Sequence, residues 1–91
     1  MPKLVRKPLT DLAVRKARPK EKRYDLFDAA LRGFGLRVAT SGARVWFVMR
    51  RVNGRMVRYS LGRYPKYSLT EARAAAATAL KRMTEGKPPA R

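Results

Sequence analysis

The chain has 91 residues, with 23 Lys and Arg against 6 Asp and Glu, no His, no Cys and a formal net charge of +17. A chain this short buries only roughly 60 to 65% of the surface its unfolded form exposes, which bounds it to one small domain with a modest core. Without thiol or imidazole there is no disulfide, no thiolate or imidazole metal site, no cysteine nucleophile and no histidine acid–base chemistry, so the inventory points to a non-enzymatic chain that needs no cofactor.

So large a positive charge is tolerable beside a polyanion, and nucleic acid is the partner it suggests. A hydrophobic fraction of 45%, with one Trp, three Phe and four Tyr, separates the chain from a disordered basic tail. No run of about 18 apolar residues occurs, and the basic start MPKLVRKPLTDL lacks the apolar stretch of a signal peptide. A cytoplasmic protein with no membrane partner is expected.

Residues 1–8 carry Lys3, Arg6 and Lys7 between two prolines and read as an extended basic arm. Thr10 is placed to cap a short helix with Asp11 in its first turn, stopped by Pro19. After the charged connector Lys20 to Arg23, the segment Tyr24, Leu26 and Phe27 is expected to cover an edge of the core, its element type left open.

The middle of the chain has the period-two pattern of strands. Phe34, Leu36 and Val38 alternate with Gly35, Arg37 and Ala39, a turn containing Gly42 follows, and Arg44 to Val52 is rich in β-branched and aromatic residues. Asn53-Gly54 then marks a type I′ hairpin. A two-residue loop sets Val52 opposite Arg55, Arg50 opposite Val57, Val48 opposite Tyr59 and Trp46 opposite Leu61. The Trp46 side has the higher apolar count and is the expected core face.

Ser68-Leu69-Thr70-Glu71 has the form of a capping box, and from Leu69 to about Glu85 the positions Leu69, Ala72, Ala76, Leu80 and Met83 form one helical stripe. Gly86 is the expected stop, and Lys87-Pro88-Pro89 reads as the start of a linker. The order predicts an α+β fold: a short N-terminal helix and a three-stranded antiparallel sheet packed against one long C-terminal helix, leaving one sheet face open. The expected division is an arm over 1–8, one folded domain over 9–86 and a linker over 87–91.

Arginines on the open face carry the most information. Arg37, Arg51 and Arg58 are placed to reach guanine edges or phosphates, with Phe47, Met49 and Met56 available to thymine methyls or sugars and Ser60 beside them. Arg44 and Arg55 lie at strand ends, and Arg63 and Lys66 precede the capped helix, positions suited to phosphate contacts. The plain alternative for each is a solvated basic face.

Signals for chemistry are poor. Gly33-Phe34-Gly35 lacks the third glycine and the helix of a dinucleotide fingerprint. Asp25 and Asp28 are better explained by local pairing with Arg23 or Arg32, or by a turn, than by a cation site.

Six segments in order carry a resemblance: Leu9-Thr10-Asp11, Gly33 to Val38, Ser41-Gly42, Arg50 to Arg55, Leu61 to Pro65 and Ser68 to Arg73. Together they resemble the N-terminal arm-binding domain of prophage and genomic-island tyrosine recombinases, the integrases. The resemblance implies double-stranded DNA as partner, with the sheet in the major groove of arm-type attachment sites, inside a bacterial cytoplasm and at the nucleoid during recombination. It also implies that catalysis resides in later domains beyond the linker.

A second reading is a protein-interaction module, in which the alanine-rich helix or exposed Phe47 and Met49 engages another integrase subunit or an accessory factor. The isolated domain is expected to be monomeric. RNA is disfavoured by the absence of ring-exposing strand motifs.

Overall fold

A computed structural model of the chain describes residues 8–86. The expected arm, apart from Pro8, and the expected linker lie outside the described residues.

The first helix, α1, spans Asp11–Lys16, and the Thr10 hydroxyl caps it by accepting from the Ala13 amide at 3.1 Å. Asp11 adds negative charge at the positive helix end, and Val14 is the residue that α1 buries.

Four strands follow: β1 Tyr24–Phe27, β2 Phe34–Val38, β3 Arg44–Val52 and β4 Arg55–Tyr64. They form an antiparallel meander in the order β1-β2-β3-β4. The sheet therefore has four strands rather than the three expected. The segment over 24–27 is the fourth, pairing Tyr24 with Val38 and Phe27 with Gly35. Its alternation, with Tyr24 and Leu26 against the core and Asp25 and Phe27 turned away, is too short to declare itself in the sequence. An Asp in its middle also lowers strand propensity.

At the β3–β4 hairpin Asn53 and Gly54 both adopt positive φ, 50° and 82°, as a type I′ turn requires. The expected pairs hold from Val52 and Arg55 to Val48 and Tyr59. Beyond them a bulge intervenes: Phe47 faces Ser60 but Trp46 faces Gly62, so Leu61 is the extra residue and not the partner of Trp46. Gly62 has φ of 145°, and a Cβ there would lie 2.5 Å from the Tyr67 ring, so close packing of that ring requires glycine.

The second helix, α2, spans Leu69–Thr84 behind the reciprocal Ser68–Glu71 capping box. It buries the expected stripe and Ala79, with Gly86 following at φ 77°. Small side chains at positions 72, 76 and 79 let α2 lie close over β3 and β4. The core it covers holds Phe34, Leu36, Val38, Trp46 and Val48, all fully buried.

Trp46 stacks on Phe34 at 5.4 Å, meets the Tyr64 ring edge-on at 6.2 Å and donates its indole N–H to the Tyr67 carbonyl at 2.9 Å. Burying a large apolar side chain contributes about 1.5–3 kcal/mol, so these few residues supply much of a small domain's stability.

Asp28 is the buried polar residue among those described, 3% exposed. It accepts from the Leu9 and Ala30 amides and from Arg73 Nε, at 3.1, 2.9 and 2.8 Å. The Ala30 contact is the turn role expected of Asp28. Its ion pair, however, is with Arg73 on α2 rather than with Arg23 or Arg32.

Candidate nucleic-acid interface

Strand alternation decides which side chains stand opposite α2. In register across the sheet, Asp25 neighbours Arg37, Gly35 lies between Phe27 and Phe47, Phe47 faces Ser60, Met49 faces Arg58 and Arg51 faces Met56. These residues stand on the face that α2 leaves open. Thus Arg37, Phe47, Met49, Arg51, Met56, Arg58 and Ser60 are brought together on one surface, together with Asp25 and Phe27.

The centre of that surface is a closed cluster. Arg37 donates from Nε to Asp25 Oδ1 at 3.0 Å and from Nη2 to Oδ2 at 3.4 Å. Arg58 reaches diagonally across the sheet, its Nη2 3.1 Å from Asp25 Oδ2 and 3.6 Å from Met49 Sδ. On the way its guanidinium lies 4.1 Å over the Phe47 ring. Phe27 closes the other side, edge-on to Phe47 at 5.6 Å.

Phe47 is in consequence only 1% exposed although it stands outside the main core. A Cβ at residue 35 would fall 2.8 Å from the Phe47 ring, so Gly35 makes room for that ring to lie flat. Asp25 pairs with arginines 12 and 33 residues away and not with Arg23 or Arg32.

Burial of Asp25 disfavours its charge, but hydrogen bonds and charges from Arg37 and Arg58 outweigh this and hold its carboxyl below the ordinary 3.8. Asp25 is therefore ionised at neutral pH.

Around this centre the surface is open: Arg51, Ser60 and Arg63 are exposed and Met56 is 55% exposed, while Arg55, also exposed, stands on the α2 side at the hairpin end and Lys66 in the loop after β4. Arg51 donates one N–H to the Gly54 carbonyl at 3.2 Å, within its own hairpin. Lys66 lies 5.8 Å from the Tyr67 ring centre. Phe27, Met49 and Met56 with Arg32 and Arg51 line an open recess beside Gly33, toward the hairpin end.

Arg44 is placed differently. It donates to the Val14 and Arg15 carbonyls at 3.0 and 3.4 Å and covers the Tyr64 ring at 4.7 Å, satisfying the C-terminal end of α1. Asp25, Phe27 and Arg32 were not expected on this face, because four residues with an acid inside them show no strand period and Arg32 lies in the following turn.

Among the described residues no group of three or more His, Cys, Asp or Glu could hold a metal ion, and no helix is long and apolar enough to cross a membrane. Both Asp25 and Asp28 are engaged by arginine.

A sheet with one face packed on a helix and the other lined with arginine and exposed apolar side chains is the build of a nucleic-acid-binding module. Residues 9–91 match the Arm DNA-binding domain family, and the chain belongs to that family. The motifs in the sequence that resembled an integrase arm-binding domain are thereby borne out.

Among curated proteins the chain is 38% identical over 81 residues to the integrase of Shigella phage Sf6, covering 89% of this chain and 20% of that relative. The same figures hold for the prophage integrase IntS of Escherichia coli strain K12. Prophage integrase IntA of that strain is 36% identical over 69 residues, covering 74% of this chain and 16% of the relative. The chain spans about a fifth of the length of the curated relatives it matches.

Proposed function

We propose that this domain binds double-stranded DNA at arm-type attachment sites by placing the open face of its sheet in the major groove. It serves there as the non-catalytic DNA-tethering part of a tyrosine recombinase during site-specific integration. One observation carries the reading. The β2 pairing ends at Phe34 and Val48, so from Met49 to Arg58 the sheet narrows to the β3–β4 hairpin. A two-stranded ribbon fits a major groove about 12 Å wide, and this one presents Met49, Arg51, Met56 and Arg58 on its open side.

Arg51 and Met56 at the ribbon's end are positioned for base edges, while Arg55, Arg63 and Lys66 at its margins suit phosphates. Arg37, Phe47 and Arg58 are held in the Asp25 cluster and Ser60 lies beside it. Arg44 contributes by bracing α1 more than by reaching outward.

The test is an amide titration of the chain with a duplex from the recombination element's attachment-site arms and with a scrambled duplex of equal length. Saturating shifts at Met49, Arg51, Met56 and Arg58 with the arm duplex alone support groove recognition. Equal, diffuse shifts with both duplexes refute it and direct attention to a protein partner for the exposed Phe27 and Met56.

A further inference from the structure

Asp25 is the one acidic residue on the strands among the described residues, and it stands beside Arg37 and Arg58 on the open face. Its two oxygens hold two of the three open-face arginines expected from the sequence to recognise DNA, Arg37 and Arg58. Arg58 is held by the carboxylate, by the Met49 sulfur and by the Phe47 ring, and together with Phe27 it keeps Phe47 from solvent. Yet the hold is incomplete: Arg58 Nη1 is buried with no hydrogen-bond partner. A guanidinium with an unmet donor gains by moving to a better acceptor set.

We propose that Asp25 is a specificity-determining residue of the DNA interface. It withholds Arg58, and with it Arg37, from generic phosphate contact and releases Arg58 only to a duplex whose base edges replace both the carboxylate and the Phe47 contact. This rests on the open-face reading above.

The physical reason lies in what each kind of DNA offers. A phosphate replaces the carboxylate as acceptor, but it leaves Asp25 next to the DNA with Arg37 as its one remaining cation, and an uncovered Phe47 facing water. A guanine edge accepts two guanidinium N–H groups, and an adjacent thymine methyl can cover the ring. A cytosine amino group can in turn donate to the freed carboxylate. Only the right sequence makes good all three losses, so Asp25 acts against the wrong duplex more than for the right one.

The experiment begins with selection by the whole chain from a random duplex library of about 20 base pairs, roughly two helical turns. The enriched duplex and its scrambled counterpart are then titrated against wild type, Asp25→Asn and Asp25→Ser, with thermal unfolding as the check that each variant folds. The expected result is scrambled-duplex binding about tenfold tighter in Asp25→Asn with the enriched duplex held nearly unchanged, so that discrimination falls about tenfold. An equal gain on both duplexes makes Asp25 a mere charge in the field and overturns the proposal, as does an equal loss on both.

The wild-type guanidinium resonances give a second readout that needs no variant. Arg58 signals are expected to move with the enriched duplex and to stay with the scrambled one. Movement with both overturns the proposal. If wild type enriches no sequence, the open-face reading falls with it, whereas enrichment with unchanged discrimination in Asp25→Asn removes the role of Asp25 alone.

Discussion

Arg73 Nε on α2 lies 2.8 Å from Asp28 Oδ2, just past the end of β1, and the same arginine donates from Nη2 to the Leu9 carbonyl at 3.1 Å. Asp28 in turn accepts from the Leu9 amide, so both backbone groups of Leu9 are held by one ion pair. Helix, sheet and the point where the N-terminal segment enters the fold are joined there. Removing one partner of a buried pair leaves the others unsatisfied, so Asp28→Ala is expected to cost about 3 kcal/mol in urea unfolding. A loss below about 1 kcal/mol contradicts this account of the junction.

Asp25 gives a pH signature with a definite sign. Its folded pKa lies below the ordinary 3.8, so the stability its ion pairs contribute is present above that value and lost as pH falls through the folded pKa. Because Arg37 and Arg58 keep 30% and 29% side-chain exposure, the contribution is screened and reaches at most about 1 kcal/mol. Asp25→Asn is expected to be slightly less stable than wild type at neutral pH, with the difference vanishing as pH drops below 3.8. A difference that grows on acidification contradicts the pairing.

Trp46 anchors the covered face. Trp46→Ala is expected to cost about 3–5 kcal/mol, a large share of a small domain's stability, read as a strongly lowered midpoint in thermal unfolding followed by far-ultraviolet circular dichroism. Trp46→Phe should cost less, its loss including the Tyr67 carbonyl left without the indole donor.

Exposed and engaged arginines should separate by salt dependence. Replacing Arg55, Arg63 or Lys66 by Ala is expected to leave stability unchanged and to reduce the slope of log K against log salt by about 0.9 for each phosphate no longer neutralised. Arg44→Ala should do the reverse, lowering the melting temperature by releasing the α1 end while leaving the slope nearly intact. Equal salt effects at Arg44 and Arg63 contradict this division.

Local signals carried much of the fold. Asn53-Gly54 set the hairpin, Ser68 with Glu71 set the α2 start, and the apolar stripe from Leu69 to Met83 identified the buried helix face. What stayed hidden was non-local. Asp25 and Asp28 looked like partners for neighbouring arginines, but their partners come from residues 37, 58 and 73, which only the meander and α2 bring near. The β1 strand was missed because four residues with an acid inside them establish no period. The bulge at Leu61 was missed because a single extra residue next to Gly62 leaves no local mark, and the Tyr67 ring that requires glycine there lies in a later loop. Phe47 was placed on the right face but expected to be exposed there, whereas it is buried under Arg58 and Phe27, and no pattern in the chain signals that cover.

Methylation interference on a bound duplex distinguishes a sheet face seated in the major groove from one bound elsewhere. Methylation of guanine N7 alters the major groove, and methylation of adenine N3 alters the minor groove. Loss of binding from N7 methylation at two or three clustered guanines, with N3 methylation of neighbouring adenines tolerated, is the predicted result. Interference from N3 methylation alone, or from neither, contradicts it.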